Sequence, residues 1–137
     1  MSDSPSNKPP EKLQFWIIWF AVMGGVPVLI FAIKGGWPSG EEPEGVSLFL
    51  LAFCLLGVIA SVIIRWAVLS RISTAESLMK FMIIGLALAE STALFGMFLI
   101  DDQYPQTQQI TYIASLLGML QFAPTYADAI LKGSGRQ

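Results

Sequence analysis

The chain has no histidine and a single cysteine, Cys54. The first absence removes the side chain that titrates near neutrality and so often acts as general base or metal ligand. The second rules out a disulfide within the chain and any cysteine cluster around a metal. Cys54 itself lies inside an apolar run and reads as a small hydrophobic filler. Charge is scarce too: 13% of the 137 residues are Asp, Glu, Lys or Arg, and the net charge is -2. Without a basic stripe to neutralise phosphates, nucleic acid is excluded as a partner. No His or Lys base accompanies a serine within the apolar stretches. The Gly24-Gly25 and Gly35-Gly36 pairs follow no strand, so they lack the setting of a phosphate-binding loop. The expectation is a protein that is not an enzyme and needs no cofactor and no metal.

What the chain has in abundance is apolar sequence, with 54% hydrophobic residues and a mean hydropathy of +0.62. That leaves too little polar surface for a soluble domain of this size. About 20 apolar residues cross the hydrocarbon core as a helix. Four stretches are predicted to do so, over residues 13–34, 46–69, 78–100 and 108–123, the last extending as far as 131. The fold class expected is an all-α integral membrane four-helix bundle occupying 13–131, between disordered tails at 1–12 and 132–137. The first apolar run is longer than a signal-peptide core, and Ala32-Ile33-Lys34-Gly35-Gly36 offers no small-x-small cleavage site, so it reads as a retained helix.

Orientation follows from Lys and Arg, which concentrate on the cytoplasmic side. Seven of the eight fall at one end of the predicted helices: Lys8, Lys12, Arg65, Arg71, Lys80, Lys132 and Arg136. Lys34 lies at the other, together with Glu41, Glu42, Glu44, Asp101 and Asp102. Both termini are therefore expected in the cytoplasm, with the protein in a plasma or inner membrane. Trp16, Trp19 and Trp66 at one boundary, and Trp37 and Tyr104 at the other, suit the headgroup region.

One residue breaks the apolar pattern at mid-depth: Glu90, in Gly85-Leu86-Ala87-Leu88-Ala89-Glu90-Ser91-Thr92-Ala93. A carboxylate there is costly, which makes it the candidate functional residue. Counting depth at about 1.5 Å per residue brings Gly24, Gly25, Gly57 and Gly118 to its level. Ala87, Glu90, Ala93 and Gly96 share one face of its own helix, a ridge of small residues suited to close contact in lipid. These residues predict helix packing, and with it homo- or hetero-oligomers. Ser115 and Gln121 on the fourth helix are expected hydrogen-bond partners for Glu90. So is the carbonyl of Met23, whose usual amide partner is removed by Pro27. Glu90 then serves as a neutral clasp between helices, as a carrier of a proton or cation, or as the mate of a charge on a partner subunit.

Residues 71–100 resemble the carboxylate-bearing helix of the c subunit of rotary ATP synthases. The likeness rests on the basic turn at Arg71 and on Ala87-Leu88-Ala89-Glu90 followed by Ala93-Leu94-Phe95-Gly96. It implies a proton-carrying role for Glu90. Two features depart from that family. Leu50, Leu51, Phe53, Leu55, Leu56 and Ile59 are bulky where its first helix repeats Gly-x-Gly, and Ser70-Arg71-Ile72-Ser73-Thr74 stands in place of Arg-Gln-Pro.

The sequence thus reads as a small accessory or structural subunit of a membrane complex, the alternative being an ion- or proton-translocating component. Its topology is directly testable. A cysteine placed at Ser39 should react with an impermeant reagent from outside the cell, and one at Ser73 should not; the reverse pattern refutes the orientation.

Overall fold

The computed structural model describes residues 12–42 and 47–126. Every regular element among them is helical: α1 (Lys12–Lys34), α2 (Leu48–Ile63), α3 (Ala75–Leu99) and α4 (Pro105–Leu120). α2 does not stop at Ile63 but runs on through a π turn, Ile64–Val68, and a 3-10 turn, Leu69–Arg71. With that continuation, three helices are long and apolar enough to cross a membrane: α1, Leu48–Arg71 and α3.

Local chemistry explains where the helices begin. Thr74 caps α3 by accepting a hydrogen bond from the Ser77 amide (3.4 Å), and Glu76 sits in the first turn, where the helix dipole favours an acid. α3 accordingly starts three residues before the hydrophobic run. Pro105 opens α4, a position where its fixed φ suits the helix and its missing amide costs nothing.

α4 ends at Leu120, and residues 121–126 form turns instead of extending the helix. Its 16 residues rise only about 24 Å, short of the roughly 30 Å hydrocarbon core. Residues 127–131, where a further extension was predicted, lie outside the described residues, as do both tails apart from Lys12, which begins α1.

α3 is the hub, packing extensively on α2 and α4 and also on α1. α4 touches both α1 and α2, whereas α1 and α2 make no contact among the described residues. The successive helices α1 and α2 therefore flank a central α3–α4 pair. Lys34 at the end of α1 meets Asp102 just beyond α3, and Arg65 near the end of the second span meets Gln121 just beyond α4. α1 thus runs parallel to α3, and α2 to α4.

The outward rows of the flanking helices are uniformly apolar, for example Leu13, Ile17, Phe20, Val28 and Phe31 on α1 and Leu48, Phe49, Leu56, Ile59 and Ile63 on α2. So large a continuous apolar surface marks contact with lipid or with another membrane protein. The interior joins Phe15, Trp19, Val26 and Ile30 of α1 to Leu78, Met82, Leu86, Ala89, Ala93 and Met97 of α3 and to Tyr112, Met119 and Phe122.

Where helices meet most closely, one of them offers glycine. A Cβ on Gly57 would collide with the Leu88 carbonyl and the Ser91 hydroxyl, one on Gly96 with Thr111, and one on Gly85 with the Phe122 ring. At Gly118 a Cβ would stand 3.1 Å from that of Ala89. Gly24 and Gly25 differ from this expected packing role. Nothing comes within 4 Å of a Cβ at either, because α1 packs through Trp19, Val26 and Ile30, and Gly24 points outward. Gly57→Ala should therefore destabilise the protein by about 1–3 kcal/mol through overpacking against backbone. Gly24→Ala should be neutral or slightly stabilising, and unfolding of the two variants in detergent micelles checks the contrast.

Candidate functional site

Three polar clusters interrupt the apolar interior, one at mid-depth and one at each end. Mid-depth is the level of Glu90. Its azimuth on α3 follows from the contacts of its neighbours, since successive helical residues are about 100° apart. α4 lies against Gly85, Ala89 and Gly96, and α2 against Leu88, Ser91, Thr92 and Phe95. The buried positions left for α1 are Leu86, Ala93 and Met97, at most 1% exposed. Glu90 belongs to this stripe, four residues after Leu86 and three before Ala93, yet it is only half-buried. Ala93 and Gly96 are inside, while Ala87 is exposed. The inward face is thus centred on Ala89, Thr92, Ala93 and Gly96, one residue round from the expected ridge.

This rotation separates Glu90 from the partners anticipated for it. Among the described residues no side chain or backbone group hydrogen-bonds to its carboxylate. Ser115 is fully buried, but its hydroxyl has no hydrogen-bond partner there. Gln121 turns toward α2, where its amide nitrogen donates to Ser61 Oγ (3.3 Å) and its side-chain oxygen accepts from Trp66 Nε1 (3.1 Å). Met23, like Glu90, is half-buried.

Polar groups instead stitch α2, α3 and α4 together. The Val58 amide donates to Thr92 Oγ1 on α3 (3.1 Å), an approach that Gly57 permits. The Ser61 hydroxyl donates back to the Val58 carbonyl (2.6 Å), and the Thr111 hydroxyl, packed over Gly96, to the Gln108 carbonyl (2.7 Å). Thr92, Thr111, Ser115 and Ser61 are all fully buried.

At the Arg65 end, side chains add donors to the carbonyls at and just beyond the end of α4, where the regular helical ladder stops. Trp19 Nε1 donates to the Met119 carbonyl (2.8 Å), Arg65 Nε to that of Gln121 (2.7 Å), and the Tyr126 hydroxyl to that of Phe122 (3.1 Å). The Arg65 guanidinium carbon lies over the Trp66 ring, 4.4 Å from its centroid, and over the Tyr126 ring, at 4.5 Å. Burial pushes the Tyr126 hydroxyl well above its ordinary pKa, so it remains a neutral donor.

At the Lys34 end the connections tie the helices together. Lys34 pairs with Asp102 at 3.0 Å. The Gln108 amide donates to the Ile100 carbonyl (3.0 Å) and to Asp102 Oδ1 (3.2 Å), and the Thr107 amide donates to Glu42.

Trp19, expected at the membrane boundary, is a buried donor, while Trp66 is exposed except for its bond to Gln121. The roles of Arg65, Thr92 and Gln108 were not anticipated. The available sequence signal was spacing, because Ala89, Thr92 and Gly96 also form a small-residue series and Ser61 and Arg65 share one face of their helix. Among the described residues no group of three His, Cys, Asp or Glu side chains comes together as a metal site. No protein-family model, characterised protein or solved structure matches the chain.

The Lys34–Asp102 pair carries a pH dependence. Hydrogen bonds from Lys34 and then Gln108, aided by the Lys34 charge, hold the Asp102 carboxyl below its usual range. A depressed carboxylate stabilises the fold above its unfolded value of about 3.9 and loses that effect as pH falls through the folded value. A spin label on cysteine at Ser39 should gain mobility in the wild-type protein once acidification passes below the depressed folded value of Asp102. Asp102→Asn should be equally mobile already at pH 7.

Proposed function

We propose that the chain is a non-enzymatic accessory subunit of a membrane complex, built as a four-helix membrane bundle with both ends cytoplasmic, and that Glu90 meets a neighbouring subunit. One observation carries this reading. The carboxylate lies near the middle of α3, half-buried on the flank shared with α1, with no hydrogen-bond partner among the described residues. An ionisable group at that depth is expensive unless paired, and a second polypeptide can supply the donor or cation that α1 and α4 do not. Exposed Ala87 on α3 and the open space beside Gly24 on α1 would let another helix approach closely. The concentration of Lys and Arg at one end supports the orientation.

A proton- or ion-translocating role is the second reading, and the same observation favours it: a carboxylate not locked into a hydrogen bond within its own chain can exchange a proton. Measurements on wild type and Glu90→Gln separate the two. The accessory reading expects a native mass in mild detergent above that of the single chain, at least partial dissociation in Glu90→Gln, and no Glu90-dependent proton uptake by reconstituted vesicles. Uptake that disappears in Glu90→Gln overturns it in favour of translocation. A monomeric mass for both proteins without uptake removes both readings.

A further inference from the structure

Arg65 does more than cap α4. Its Nε is committed to the Gln121 carbonyl, and its guanidinium carbon lies against the Trp66 and Tyr126 rings. This leaves the two terminal nitrogens, the fork that matches two oxygens of a phosphate, with no hydrogen-bond acceptor among the described residues. One hydrogen bond and two aromatic contacts restrain the side chain, which narrows the directions open to its remaining donors.

Arg65 lies about 26 Å along its span from Leu48, close to where a roughly 30 Å hydrocarbon core gives way to headgroups. The surroundings are of the right sign as well. Lys12, Arg71 and Lys80 lie at the same end, and the acid described there, Glu76, faces Lys80 at 3.9 Å. No carboxylate among the described residues pairs with Arg65.

We propose that Arg65, at the corner between the second span and the end of α4, binds the phosphodiester of a membrane lipid, with preference for a net-anionic headgroup. The π turn at Ile64–Val68 helps to build the site, because the wider turn resets the azimuth of Arg65 and Trp66 relative to the regular helix before them. The short α4 completes it, since its end falls beside Arg65.

The test is native mass spectrometry of the full chain in mild detergent, titrated with phosphatidylglycerol or with phosphatidylcholine of the same acyl chains. The wild-type protein should retain one phosphatidylglycerol with about fivefold preference, the value of one added cation at the headgroup. Arg65→Gln should abolish the preference, and Arg71→Gln should leave it within twofold. Because Arg65→Gln also removes a cap from α4, Arg65→Lys is the decisive companion: it keeps the charge and one donor but loses the fork, so the preference should fall by at least half while helical content is unchanged. Inorganic phosphate at millimolar concentration should not displace the lipid. An unchanged preference in Arg65→Lys, an equal loss in Arg71→Gln, or displacement by inorganic phosphate would each overturn the proposal.

Discussion

Lipid is as apolar as leucine, so membrane helices gain little from burying hydrophobic side chains against one another and associate where backbones can come close. In this chain that constraint falls on α3. α2 reaches it at Gly57, close enough for the Val58 amide to bond Thr92, and α4 reaches it at Gly96 and Gly118. The remaining packing follows. With α2 and α4 seated on adjacent faces of α3, α1 is left the stripe of Leu86, Ala93 and Met97 and has no place from which to touch α2.

The shortness of α4 is the second consequence. Beyond the turn amides that bond the Leu117, Met119 and Leu120 carbonyls, the end of α4 draws on side-chain donors. Trp19 and Arg65 come from two different helices to provide them, and Tyr126 folds back from beyond the end. Thus Trp19 of α1 and Arg65 of the second span are tied into the end of α4, Arg65 from within the π turn. The Lys34 end needs less, because Pro105 begins α4 without an amide to satisfy and Gln108 takes up the Ile100 carbonyl at the end of α3.

Glu90 stands apart from both arrangements. The polar groups that do pair, Thr92, Ser61, Thr111 and Gln121, lie on the side of α3 that faces α2 and α4, whereas Glu90 is on the α1 side with apolar neighbours. Its isolation sets it apart from the structural hydrogen bonds and gives it its interest as a contact or exchange site.

The three long apolar helices and the concentration of basic residues at one end were legible in the sequence, because run length and charge are local properties that need no partner to be read. The glycines at 57, 96 and 118 were also recognisable as packing positions. The face of α3 that turns inward was not. Its helix is apolar nearly all round, so hydrophobic periodicity carries little information about azimuth, and a rotation of about 100° takes Ala87 and Glu90 out of the inward face and brings Ala89 and Thr92 into it. Gly24 and Gly25 look like Gly57 in sequence, and only the position of α1 leaves them without a neighbour. The same holds for Gln121, Trp19 and Arg65, whose roles depend on where α4 stops. The sequence by itself determined the three long apolar helices and which of their ends carry the positive charge, though it also counted the short α4 as a crossing stretch; contacts between residues as far apart as Trp19 and Met119 decided which polar groups meet.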